Sequence, residues 1–137
     1  MIKTTRRLLV PLIACAIAAC GSDQTGPGAD ALVGTYQAVS VNGSPLPFTT
    51  NTGGTLKSYT ITVRSDHTYD LTFSKNLSNG SPADINDSGT YVYSESTGAI
   101  SFTGQIPGTL HATVTDGGAT MTLSSADVGG YTIVLKR

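Results

Sequence analysis

Apolar and polar residues alternate along most of the chain from Leu32 to the C-terminus. This alternation is typical of β-strands with one buried face, because successive side chains of a strand point to opposite sides. Tyr59, Ile61 and Val63 thus share one face, with polar residues opposite. We find no run with the spacing of an amphipathic helix. The inward positions predicted for six further strands are Tyr69, Leu71 and Phe73; Tyr91 and Tyr93; Ile100 and Phe102; Leu110, Ala112 and Val114; Met121 and Leu123; and Tyr131, Ile133 and Leu135.

The first predicted strand, residues 34–41, has an ambiguous pattern. Tyr36 and Ala38 lie on one face, whereas Val39 and Val41 lie on the other. Both faces of this segment therefore carry apolar side chains, and alternation alone does not decide which of them is buried.

Short turns rich in glycine, aspartate and proline separate most of these strands, and short turns join antiparallel neighbours. Two longer connections are predicted, at residues 42–54 and 75–87. An open antiparallel sheet of eight strands would expose two edges, and closing the sheet removes both. The sequence therefore predicts an all-β domain over residues 32–137, an eight-stranded antiparallel up-and-down barrel.

The start of the chain has a different character. A basic beginning, with Lys3, Arg6 and Arg7, precedes an apolar run at residues 8–19, which is the composition of a secretory signal. The apolar run is shorter than the roughly 20 residues that cross a bilayer as a helix. We therefore interpret residues 1–19 as a signal peptide and not as a membrane span.

This signal ends in Ile-Ala-Ala-Cys at positions 17–20, which resembles the lipobox of bacterial lipoproteins. The resemblance implies that Cys20 becomes the first residue of the mature protein and carries a lipid that anchors it to the membrane. Cys15 also fits the pattern, but cleavage there would leave the apolar residues 16–19 in the linker. Residue 21 is not aspartate, and by the same resemblance this favours the outer membrane of the bacterial cell envelope, with the domain facing the periplasm.

Residues 20–31 join the predicted lipid to the predicted barrel. After the cysteine they contain three glycines, one proline and no large apolar side chain, so we expect a flexible tether. Loss of the signal peptide would change the formal net charge from −1 to −4. A mildly acidic surface without basic clusters argues against nucleic acid as a partner.

Short sequence features lie at the start and at the end of the predicted barrel domain. Gly-Thr-Tyr at positions 34–36 opens the first strand, and the chain ends in Lys136 and Arg137. With eight consecutive antiparallel strands, these features resemble the lipocalin-like families of small secreted bacterial proteins. In lipocalins the opening motif is Gly-x-Trp, and a basic residue near the C-terminus packs over the aromatic ring. The resemblance implies the same contact here, and the parity of Arg137 points it towards Tyr36. The alternative is a frayed, solvated C-terminus.

All six tyrosines fall on faces that are predicted to point inward. Tyrosine combines a large apolar face with a hydroxyl that needs a partner when buried, so a tyrosine-lined cavity suits a small hydrophobic or amphipathic ligand. Alternatively the rings fill a solid core, and the protein is a structural or protein-interaction module of the envelope. The candidate ligand-binding residues are Tyr36, Tyr59, Tyr69, Tyr91, Tyr93 and Tyr131.

The sequence contains no recognisable catalytic arrangement. No serine lies in a Gly-x-Ser-x-Gly turn, and neither His67 nor His111 has a partner at the spacing of a metal site. We therefore expect a monomeric binding protein that is not an enzyme and needs no cofactor or metal. Residues 84–95 match the ligand spacing of an EF-hand calcium loop, although the loop overlaps the strand around Tyr91, and calcium binding is kept as an alternative.

Overall fold

The alternating pattern produces an antiparallel sheet in the computed structural model, which describes residues 27–137. Within these residues there are nine strands and two short 3-10 helices, Ala29–Leu32 and Asp116–Gly118. The strands are β1 (Gly34–Val41), β2 (Phe48–Thr49), β3 (Thr55–Val63), β4 (Thr68–Asn76), β5 (Pro82–Ser94), β6 (Ala99–Gly104), β7 (Thr109–Thr115), β8 (Thr120–Leu123) and β9 (Ile133–Lys136).

Strands β3 to β8 each pair antiparallel with the next strand along the chain, and β9 pairs with β1. The start of β1 also pairs with the end of β3, from Gly34 opposite Val63 to Gln37 opposite Thr60. This last pairing closes the sheet into an eight-stranded barrel, so the predicted fold is confirmed. The two-residue strand β2 lies outside this ring of eight and pairs only with β3.

The predicted long connection at residues 75–87 is wrong. Strand β4 continues to Asn76 and β5 already begins at Pro82, so the two strands are joined by a short turn. Their register is unbroken from Thr68 opposite Thr90 to Asn76 opposite Pro82. Polar residues on both faces of early β5 hid the alternation, because a carboxylate, Asp87, occupies an inward position there.

A β-bulge resolves the ambiguous pattern of β1. Ala38 is opposite Leu135 in β9 and Ser40 is opposite Val134, so Val39 is the extra residue between them. A bulge shifts the phase of the alternation by one residue. Val41 is consequently buried like Tyr36, while Val39 is 44 % exposed.

The inward faces of the strands form the core, as the alternation predicted. Residues such as Ile61, Phe102 and Met121 are almost completely buried, whereas Val92, on the outer face of β5, is 76 % exposed. The core is a single cluster that runs along the barrel interior.

The first 3-10 helix seals one end of the barrel, which we call the closed end. Leu32 at the end of this helix is fully buried. The single hydroxyl proton of Tyr36 is shared between two carbonyl oxygens, those of Gly118, at 2.7 Å, and of Leu32, at 3.0 Å. The hydroxyl of Tyr93 also donates to the Pro27 carbonyl. These contacts hold the chain against the barrel from Pro27 onward, so the tether predicted to run to residue 31 is too long at its C-terminal end.

Arg137 lies over the ring of Tyr36, as the lipocalin resemblance implied. The guanidinium carbon is 5.9 Å from the ring centroid, a distance at which a cation is attracted to an aromatic face. Nη1 of Arg137 also donates to the carbonyls of Ala31 and Val33, both at 2.8 Å. One side chain thus joins the C-terminus, the first strand and the 3-10 helix.

The predicted signal peptide, Cys20 and most of the predicted tether lie outside the described residues. Within residues 27–137, no helix is both long enough and apolar enough to cross a membrane.

Candidate ligand-binding cavity

The other end of the barrel, which we call the open end, contains a cavity of about 1030 Å³ that is open to solvent. Here β1 no longer pairs with β3 beyond Gln37, and β2 lies beside the start of β3 instead. The wall is therefore built partly from the 42–54 connection. The cavity volume is at the upper end of the roughly 300–1,000 Å³ that is typical of small-molecule sites.

The inner wall of the cavity is largely apolar and aromatic. The rings of Tyr59 and Phe73 stack with centroids 5.3 Å apart and planes 8° from parallel. Those of Tyr69 and Phe102 meet edge to face at 4.9 Å. Aliphatic side chains complete this surface, which is suited to contact with an apolar ligand; they are Val41, Leu56, Leu71, Ile85, Leu110, Val128 and Ile133.

The structure divides the six candidate tyrosines into two groups of three. Tyr36, Tyr91 and Tyr93 do not border the cavity. Each donates its hydroxyl to a backbone carbonyl near the closed end; for Tyr91 the acceptor is the Arg64 carbonyl, at 2.8 Å. A buried hydroxyl needs such a partner. These hydrogen bonds therefore account for the three tyrosines as parts of the folded core, without a ligand.

Tyr59, Tyr69 and Tyr131 border the cavity. Tyr131 lies at the mouth, where its hydroxyl donates to Oδ1 of Asn51 at 2.7 Å and its ring meets the ring of Phe48 edge to face at 5.6 Å. The hydroxyl of Tyr69 donates to the carboxylate of Asp87. The hydroxyl of Tyr59 makes no hydrogen bond with any described residue, and burial together with the same carboxylate raises its pKa.

Asp87, which supplies this carboxylate, is an inward residue of β5 and was not among the site residues predicted from the sequence. Its Oδ2 accepts from the Tyr69 hydroxyl at 2.7 Å. Its Oδ1 accepts from the backbone N–H groups of Gln105, at 2.7 Å, and Ile106, at 3.1 Å. Strand β6 ends at Gly104, so these two N–H groups of the following turn are free to bond the side chain.

Burial acts to raise the pKa of Asp87, but the hydrogen bonds from Tyr69, Ile106 and Gln105 outweigh it and hold the pKa below its usual value. The carboxylate is therefore ionised at neutral pH. A signal for Asp87 was present in the sequence. The period-two pattern of Tyr91 and Tyr93, extended backwards along β5, makes position 87 inward.

The candidate metal-binding residues are not brought together within residues 27–137. Within residues 27–137, no group of three or more histidine, cysteine, aspartate or glutamate side chains is placed to hold a metal ion. The candidate calcium loop is an extended strand through Ser94, and ten residues of strand separate its ends by roughly 30 Å. Asp84 and Glu95 thus cannot bind one ion as an EF-hand does. His111 instead pairs with Asp127 on the outer surface, at 3.0 Å.

A closed antiparallel barrel with one sealed end and an internal cavity at the other defines a class of small calyx-shaped β-barrel proteins. The model of the lipocalin-like domain matches residues 32–127. The chain therefore belongs to the lipocalin-like family, as the Gly-Thr-Tyr motif and the strand order implied. A comparison with curated proteins finds no match to this chain.

Proposed function

We propose that this protein is a lipid-anchored lipoprotein of the bacterial cell envelope that binds a small hydrophobic or amphipathic ligand inside its barrel. The observation that carries the proposal is the cavity at the open end, with its apolar and aromatic wall. In this proposal the protein is a binding protein and not an enzyme.

The rival function was a structural or interaction module with a solid barrel core. The interior is filled at the closed end, where Leu32 and Tyr36 are fully buried. The cavity occupies the opposite half, and an interior filled throughout would have favoured the rival. An apolar wall that faces solvent costs stability, since the same side chains would be favourably buried in a packed core. A ligand that occupies the cavity buries this wall.

A cavity-blocking variant tests ligand binding. Leu71 lines the cavity and is 5 % exposed, so Leu71→Trp places a bulky indole ring where the ligand would lie. We expect the purified protein to bind the uncharged apolar fluorophore N-phenyl-1-naphthylamine, and the variant to bind it at least about tenfold more weakly, a loss of about 1.4 kcal/mol. Fluorescence titration measures both dissociation constants.

Val92→Trp is the matched control, because Val92 points outward from β5 and is 76 % exposed. It adds the same ring to the outer surface and should leave probe binding unchanged. If the unmodified protein fails to bind the probe, or if both tryptophan variants bind it equally well, the cavity is not the binding site and the solid-module function becomes the better one.

The position of the described N-terminus constrains how an anchored protein would sit. The chain joins the barrel at its closed end, where the Pro27 carbonyl accepts from Tyr93 at 2.6 Å. Between Cys20 and Pro27 there are only six residues. Even fully extended, this length of chain reaches about 25 Å. A lipid on Cys20 would therefore hold the closed end towards the membrane and leave the cavity mouth facing away from it.

Replacing the predicted lipidated cysteine tests the anchor. Cys20→Ser removes the sulfur that would carry the acyl chains, so we expect the protein to lose palmitate labelling and leave the membrane fraction. Cys15→Ser is the control and should change neither property. Palmitate labelling that survives Cys20→Ser but not Cys15→Ser would move the anchor to the alternative site.

A further inference from the structure

The cavity wall contains a charge that the fold does not neutralise. Asp87 is ionised at neutral pH and borders the cavity. Among residues 27–137 the side chains at ion-pair distance are Arg64 with Asp70 and His111 with Asp127, and neither contact involves Asp87. An ionised carboxylate beside an apolar space has lost part of its hydration, so a cation that entered the cavity would be attracted to it.

Asp87 also retains hydrogen-bonding capacity. Its Oδ1 accepts two backbone N–H groups and Oδ2 accepts the Tyr69 hydroxyl, while the backbone N–H of Ser88 also acts to lower the pKa of the carboxyl. Each oxygen of a carboxylate can accept about two hydrogen bonds. The carboxylate can therefore accept a further donor, and Asp87 borders the cavity in which a ligand would supply it.

Aromatic rings surround the same part of the cavity. Tyr59 and Phe73 form one stacked pair, and Tyr69 and Phe102 form an edge-to-face pair. Aromatic faces attract ammonium groups through the ring quadrupole, more strongly where water is excluded. The free hydroxyl of Tyr59 adds a second polar group close to the carboxylate.

From this combination we propose that the ligand is a cationic amphiphile, whose ammonium or alkylammonium group lies against Asp87 and whose apolar part extends along the cavity towards the mouth. The proposal rests on the ligand-binding function proposed above and names its chemical class. A hydrocarbon tail placed against Asp87 would cover Oδ2 without offering a donor, and an anion there would be repelled. An ammonium group avoids both costs.

An anionic amphiphile is the main competitor, because Lys75 also borders the cavity. On β4, Leu71 is opposite Asp87 and Lys75 lies four residues further towards the mouth, about 13 Å along the strand. Nζ of Lys75 lies 5.6 Å from the ring centroid of Phe73. An anionic head group bound beside Lys75 near the mouth would direct its apolar tail towards Asp87. The negative charge deeper in the cavity therefore favours a cationic ligand.

The test compares three ligands that differ only in their head group. Decylammonium, decanol and decanoate are titrated against the full chain, and each is scored by its displacement of N-phenyl-1-naphthylamine. We expect decylammonium to bind at least about tenfold more tightly than decanol, the difference typical of a hydrogen bond to a charged group. Decanoate should be the weakest competitor.

Asp87→Asn and Asp84→Asn then separate the cavity charge from the total charge. Asparagine at position 87 keeps an acceptor for Gln105 and Ile106, so the turn retains its contacts. The variant should lose the preference for decylammonium while its affinity for decanol stays within about twofold. Asp84 is exposed on the outer face of the same strand, and its variant should behave like the unmodified chain.

The outcomes distinguish the two proposals. Failure of the probe to bind the unmodified chain overturns ligand binding itself. Probe binding with decylammonium no better than decanol, or with decanoate the strongest competitor, overturns the cationic class and leaves ligand binding intact. A preference for decylammonium that survives Asp87→Asn also overturns the assignment. Should that variant not fold, the head-group series on the unmodified chain still decides between a cation and an anion.

Discussion

Phe102→Ala is expected to destabilise the domain by about 3–5 kcal/mol, the range typical of removing a buried phenylalanine ring. The Phe102 ring is 1 % exposed and has its centroid 4.9 Å from Tyr69 and 6.2 Å from Tyr91. It lies where the filled half of the barrel meets the cavity. Its loss would therefore extend the cavity into the core and remove the packing partner of Tyr69, which donates a hydrogen bond to Asp87.

A loss of this size is a large part of the about 5–15 kcal/mol that stabilises a typical domain. Urea titration should show it as a lower midpoint, or as a protein that is unfolded without denaturant. Thr103→Ser is the neighbouring control, since Thr103 is exposed on the outer face of β6, and it should change stability by about 0.5 kcal/mol or less. Similar losses at both positions would mean that the strand faces are reversed.

The barrel could be predicted from the sequence because the two-residue period of a strand does not depend on what the strand packs against. Ile61, Phe102 and Val114 are buried as their alternation required. Closure of the sheet was predicted because an open sheet would expose two edges. In the structure, β1 pairs with both β3 and β9 and so closes the sheet.

The same reasoning failed where the local pattern was broken. Val39 disturbs the alternation because it is the extra residue of a bulge, and a bulge depends on pairing with β9 that sequence alone does not reveal. Early β5 was taken for a loop because Asp87 is polar and inward. Its hydrogen bonds with Tyr69 and with the turn after β6 join residues that are distant in the chain.

The candidate site could be predicted only in part. Alternation tells which way a tyrosine points, but not at which depth of the barrel it lies, since depth depends on register and on which end is sealed. Tyr59 and Tyr91 are therefore indistinguishable by pattern, yet one borders the cavity and the other bonds a backbone carbonyl beyond it.

The reason why a position requires glycine is another property that the structure reveals and the sequence does not. The tripeptide Gly-Thr-Tyr occurs twice, and its two glycines are needed for different reasons. A Cβ at Gly34 would overlap the side chain of Arg137. At Gly89, which is opposite Gly104, a Cβ would overlap the Thr103 carbonyl oxygen and lie 2.6 Å from the Gly104 Cα. The repeat thus marks two unrelated close approaches.

Gly89→Ala should consequently be one of the most damaging small substitutions in the domain. The atoms that an alanine methyl would meet belong to the backbone of β6, which cannot rotate away as a flexible side chain can. We expect a loss of about 3 kcal/mol, the upper end of what overpacking usually costs, measured as a lower urea midpoint. Gly28→Ala is the matched control, because its Cβ would meet nothing within 4 Å and its φ of −61° suits alanine. That variant should stay within about 0.5 kcal/mol of the unmodified protein. If Gly89→Ala were equally silent, strands β5 and β6 could separate locally at little cost, and the turn held by Asp87 would not be fixed in place as the cavity wall requires.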